Sequence, residues 1–99
     1  PASHTMLRYS SILTFENTCM EAQRVQVQYA IADYDGFLIS DKRRLSMSNI
    51  SPLGVHHERA ILQIPVPAEN VNDVFQLYFE ISDHKNLRIE RFITLDDIR

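Results

Sequence analysis

Histidine, aspartate and cysteine are the side chains here with the means to do chemistry, and their spacing limits what they can do. His56 and His57 are adjacent. On a strand they point to opposite faces and cannot chelate one ion. A zinc site also needs cysteine or carboxylate partners at ligand spacing, and Cys19 and Glu58 do not supply it. Asp33-Tyr34-Asp35-Gly36 matches the first half of a calcium loop but lacks the third acidic position and the distal bidentate Glu, so it reads as a hairpin turn. Cys19 has no nucleophile signature around it and is expected to be a buried or neutral thiol. With two glycines the chain has no glycine-rich phosphate loop, and no serine sits in a nucleophile elbow. The expectation is a protein that is not an enzyme and uses no cofactor and no metal.

Binding chemistry is better placed on one face of a strand pair. Phe75 to Ile81 alternates without a slip: Phe75, Leu77, Phe79 and Ile81 on one side, Gln76, Tyr78 and Glu80 on the other. That is a strand with one buried and one wetter face, and the centre of the core. If Ser82 to Asn86 is a five-residue loop, Ile81 faces Leu87, Phe79 faces Ile89, Phe75 faces Ile93 and Glu80 faces Arg88. Leu77 then meets Arg91, which calls for a bulge or for Arg91 to snorkel at the core margin. This register gathers Gln76, Tyr78, Arg88, Glu90 and Phe92 into a mixed aromatic and polar plateau, suited to protein contacts or sugar stacking. Those five are the expected binding residues. Burial under a loop, or packing against a further domain or a second copy of the chain, is the competing reading for the aromatics.

The elements that must position them come from the same periodicity. Leu7 to Phe15 alternates as a first strand with a partly polar pattern, like an edge. Glu16 to Gln23 has no alternation and reads as a helical turn capped by Asn17 or Thr18, or as a loop. Arg24 to Asp33 puts Val25, Val27, Tyr29 and Ile31 on one face. Asp35-Gly36 turns the chain, because Gly accepts positive φ. Phe37 to Ser40 returns as a short strand, and Arg44 to Ser48 is another with Leu45 and Met47 inward. Asn49 to His57 is a loop around Pro52 and Gly54. Glu58 to Val66 follows, with Ala60, Leu62, Ile64 and Val66 inward; Pro65 and Pro67 end it or mark an edge. Pro67 to Asn70 is a crossover turn. Asn86 to Leu95 closes the domain with Leu87, Ile89 and Ile93 on one face.

Six or seven short strands with almost no helix predict an all-β fold: an antiparallel two-sheet β-sandwich, immunoglobulin-like, with small barrels as the competitor. The length fits one domain. Pro1 to Thr5 is expected to be a cloning remnant, leaving residues 6–99 as the domain. The formal net charge of -3, with both signs scattered, argues against a nucleic-acid partner. Lys42-Arg43-Arg44 reads as a solvated loop face. Nothing approaches membrane-spanning length, so no membrane insertion is expected. A single cysteine favours the cytoplasm slightly, although a periplasmic or surface domain could also manage without a disulfide.

Val25-Gln26-Val27-Gln28-Tyr29-Ala30-Ile31-Ala32-Asp33-Tyr34-Asp35-Gly36, with Ile64-Pro65-Val66-Pro67 and Phe75 to Asp83, resembles the carbohydrate-binding β-sandwich domain of bacterial polysaccharide-export ATPases. The resemblance implies sugar binding and carries over no individual sugar-contacting residue. The reading from the residues themselves is a recognition module for protein-protein interaction or assembly, through a sheet face or an edge strand. Carbohydrate binding on the same plateau is the alternative. Poorly guarded edges and the plateau also predict self-association as a symmetric dimer.

Overall fold

A computed structural model describes residues 4–67, 69, 72–74, 76–85 and 87–94, with side chains from residue 6 onward. The expectations for Phe75, Asn86 and Leu95 lie outside those residues. Six strands form two antiparallel sheets. They are β1 (His4–Glu16), β2 (Gln23–Ala32), β3 (Arg43–Ile50), β4 (Val55–Pro67), β5 (Gln76–Asp83) and β6 (Arg88–Thr94). One sheet is the pair β1-β4, and the other has the order β3-β2-β5-β6.

Alternation explains the pairings. β1 and β4 run side by side over 13 residues each, from His4 opposite Pro67 to Glu16 opposite Val55. Leu7, Tyr9, Leu13 and Phe15 turn inward from β1, and Ala60, Leu62, Ile64 and Val66 are buried on β4. Pro65 sits within β4 and Pro67 is its last residue, as suits a strand paired on one side. From the larger sheet, Val25, Val27 and Ile31 of β2 and Leu77 and Phe79 of β5 join the same apolar cluster. Tyr9 of β1 lies against Phe79 of β5 with ring centroids 6.1 Å apart, so the cluster bridges the two sheets.

Three sequence expectations change. The β5-β6 register lies two residues further along β6: Ser82 faces Arg88, Ile81 faces Ile89 and Leu77 faces Ile93. Each strand keeps its predicted faces, and Arg91, opposite Phe79, needs no bulge. The cause is Asp83, whose carboxylate oxygen accepts from the amides of Lys85 and Leu87, both at 2.8 Å, and so closes the turn between β5 and β6. Met47 is exposed rather than inward, because a bulge where Val27 and Gln28 of β2 meet Ser46 and Arg44 of β3 reverses the alternation beyond Leu45. The return after Asp35-Gly36 is a lone bridge, Ala32 to Leu38, followed by Ile39 N–H donating to Ile31 O. Residues 33–42 thereby become a strap between β2 and β3.

Residues 17–22 hold no helix. Asn17 is buried and works as a clamp. Its Nδ2 donates to the carbonyls of Glu21 at 2.8 Å, Ser51 at 3.0 Å and Ile50 at 3.1 Å, while its Oδ1 accepts from Cys19 N–H. Asn17 N–H to Gly54 O and Leu53 N–H to Cys19 O zip the β1-β2 loop to the β3-β4 loop. A Cβ on Gly54 would come within 2.9 Å of Ser51 O, so this turn requires glycine. Cys19 itself is exposed, so of its expected readings burial falls, because it rides the outside of this junction.

Candidate functional site

Two surfaces are built by this arrangement. The first is the outer face of the larger sheet, where the expected binding residues lie. Tyr78 and Phe92 are direct cross-strand partners, and their ring centroids lie 5.1 Å apart. Arg88 and Glu90 stand beside them, joined at 3.0 Å. Glu80 is opposite Glu90, a like-charge pairing bridged by Arg88, which also reaches Glu80 at 3.5 Å. Gln76 does not join this group, since its amide donates to the carbonyls of Asp33 and Tyr34 and ties down the strap.

The strap changes the character of the face. Asp33 Oδ1 accepts from Asp35 and Phe37 N–H, the same side-chain closure that Asp83 makes in the other hairpin. That carboxylate oxygen is thereby occupied within the turn. Gly36, at φ 89°, rests over the Phe92 ring. Lys42 leaves its basic run to reach Glu80 Oε2 at 2.7 Å, with its ammonium 5.9 Å from the Tyr78 ring centre. Tyr78 and Glu80 are therefore 3% and 8% exposed, instead of forming an open plateau. The Tyr78 hydroxyl donates to Glu80 Oε2 at 2.7 Å. Lys42 first, then Tyr78, hold the Glu80 carboxyl below its ordinary range against the opposing effect of burial. Burial raises the Tyr78 hydroxyl. What remains open is a rim: Tyr34, Phe37 and Phe92, with Arg88 and Glu90.

The second surface was not anticipated from the sequence. The pair β1-β4 has two strands, against the four of the sheet whose apolar side chains share its core cluster. An apolar cleft of about 780 Å³ lies where the inner side of β5-β6 runs out beyond β1. Its walls include Leu13 and Phe15 of β1, Phe79 and Ile81 of β5, and Ile89 and Ile93 of β6. Leu87 at its mouth is 47% exposed. Arg91, placed on the inner face by the register, is the cation within this wall. It donates to Glu90 O and, among the described residues, reaches no carboxylate. Lys85 at the same mouth is paired with Glu21 at 2.9 Å.

His56 and His57 are not among the residues that line the cleft. His56 stacks on Phe15 of the opposite strand, with centroids 6.3 Å apart, while His57 turns outward to the Thr14 hydroxyl at 3.1 Å. Among the described residues no three histidine, cysteine or carboxylate side chains gather as a metal site would need.

Comparison with protein-family models finds no match to this chain, and a search of curated proteins finds none either.

Proposed function

We propose that the two sheets form an immunoglobulin-like β-sandwich acting as a non-enzymatic recognition module that engages a polypeptide partner through an edge strand and the sheet surface beside it. The observation that carries this reading is the mismatch in sheet width. β1 pairs with β4 on one side, and among the described residues its other side has no strand, while the apolar inner face of β6 continues past it. Unpaired backbone groups beside uncovered apolar surface are what a polypeptide partner can satisfy. Carbohydrate binding is the second reading, favoured by the exposed rings of Tyr34, Phe37 and Phe92 around Arg88 and Glu90 on the outer face. Side-by-side screening of the intact chain on a glycan array and against a displayed random-peptide library separates the two. The proposal expects enriched peptides and no retained glycan. Retained glycans with no enriched peptide would replace it by the second reading.

A further inference from the structure

The recognition reading above leaves open what the partner looks like and where it sits; this inference rests on it. We propose that the cleft between β1 and β6 accepts one extended strand that pairs with the free edge of β1, lays alternate apolar side chains on Ile89 and Ile93, and sets an acidic side chain against Arg91.

Three observations converge on that occupant. The first is the edge. In an antiparallel ladder the N–H and C=O groups of alternate residues point to opposite sides, so a strand paired on one side leaves half its groups facing away. Residues 12–16 of β1 all line the cleft, and among the described residues β1 pairs with β4 alone. Five residues span about 16 Å, enough for a short added strand. An aliphatic chain or a flat hydrophobic molecule could fill the apolar space but could not use that ladder.

The second is charge. Arg91 follows Ile89 and precedes Ile93 on the same face, so cation and apolar contacts alternate at strand spacing. A partner strand placed alongside presents its inward side chains with the same period of two. An Asp or Glu at the position over Arg91 gains a charge-assisted pair, and apolar residues two positions away on each side cover the isoleucines. Chain-wide the formal net charge is negative, so Arg91 is a local preference and not a general attraction for anions.

The third is shape. Tyr9 of β1 already lies over Phe79 of β5. A second copy bringing its own β1 edge to edge would carry its own four-stranded sheet into the space under the new strand, where β5 and β6 already lie. A lone strand carries no such sheet. The width mismatch therefore admits a peptide segment and rejects an edge-to-edge pairing of two copies.

The test is selection of a displayed library of random twelve-residue peptides on the intact chain, repeated on Arg91→Glu. Enriched peptides are expected to show apolar residues at alternate positions with an Asp or Glu between them in the same register. Arg91→Glu should weaken the parent-selected peptides by about tenfold or more, the value of one charge-assisted pair, and select Lys or Arg in place of the acid. Amide shifts in a heteronuclear spectrum should fall on residues 12–16 and 88–94. N-methylation of alternate peptide amides, which removes strand pairing and keeps the side chains, should abolish binding in one of its two phases and spare it in the other. Peptides that bind equally well with either set of amides methylated, or a cleft that takes palmitate and no peptide, would overturn the proposal. Peptides enriched but mapping to Tyr34, Phe37 and Phe92 would sink the cleft while sparing the polypeptide reading. No enrichment at all would sink both.

Discussion

Asn17 holds one end of the molecule together, so its removal should cost much more than a loop substitution normally does. Its amide nitrogen serves three carbonyls with two hydrogens, one of them shared, and its oxygen takes a fourth hydrogen bond. At about 0.5–1.5 kcal/mol net per bond, the gross range is about 2–6 kcal/mol. Glu21 and Ser51 are exposed, and water can reclaim their carbonyls; Ile50 is buried, so water replaces the lost donor to its carbonyl less readily. We therefore expect Asn17→Ala to cost about 2–3 kcal/mol, a large share of the roughly 5–15 kcal/mol typical of a domain. In a thermal melt that is a loss of about 8–24 °C for a chain of this size.

Asn17→Asp sharpens the test. The same shape then points a carboxylate at three carbonyl oxygens, which disfavours the charged form and raises the folded pKa above the ordinary value of about 3.9. A raised folded pKa contributes stability below the unfolded pKa and loses it as pH rises through the folded one. The variant should thus be worse than Asn17→Ala at neutral pH and recover toward it in acid, read as urea midpoints from pH 3.5 to 7. An Asn17→Ala midpoint matching the parent within about 0.5 kcal/mol would refute the clamp, since that is the usual span of an inert surface change. An Asn17→Asp midpoint that ignores pH would refute the placement of the three carbonyls.

Phe79→Ala should destabilise by about 3–5 kcal/mol, because the ring is 2% exposed and lies between the sheets; an unchanged urea midpoint would remove it from the core. Glu80 supplies a pH dependence of opposite sign: its folded pKa is lowered from 4.5, so its contribution is complete above that value and is lost as pH falls through the folded one. Glu80→Gln should flatten the acid limb of the stability curve, and an unchanged limb would mean that the Lys42 contact is not held in solution. Tyr78→Phe removes one hydrogen bond to that carboxylate and should cost about 1–2 kcal/mol by chemical denaturation, with no effect contradicting the buried pair. If copies associate through the outer face, Phe92→Glu should abolish a dimer seen by sedimentation; a dimer that persists places the contact elsewhere.

What could be read in the sequence divides along a physical line. Alternation within a strand is set by local geometry, so the inward sets of β1, β2, β4 and β5 are legible residue by residue. The hairpin register is off by two residues because apolar matching cannot see Asp83 drawing two amides onto its carboxylate. The clue was present: Asp33 begins a loop of the same length, closed by Phe37, as Asp83 does with Leu87. Met47 was misplaced because a bulge carries no hydrophobic signature. Tyr78 and Glu80 follow the polar phase of their strand yet are buried, since what covers them is a strap fixed by Gln76, Gly36 and Lys42, residues distant in the chain. Such coverage is tertiary, and no single strand's pattern contains it.

The cleft has the same origin and a stronger functional consequence. Each of β1 and β6 shows an ordinary inward face, and neither pattern says how many strands its sheet will hold. The division into two strands over four follows from pairing: β4 takes β1, while β2 and β5 take each other and recruit β3 and β6. A narrow sheet over a wide one must leave inner surface uncovered along one side or both. Here β3 lies near β4, and the shortfall falls on the β6 side, beside an unpaired edge. On the reading proposed above, Arg91 makes the difference between a packing defect and a binding surface. A core margin destined for burial within the chain would gain from an apolar residue there, between Ile89 and Ile93. A guanidinium on that wall costs nothing while water fills the cleft, and it rewards a partner that brings an acid.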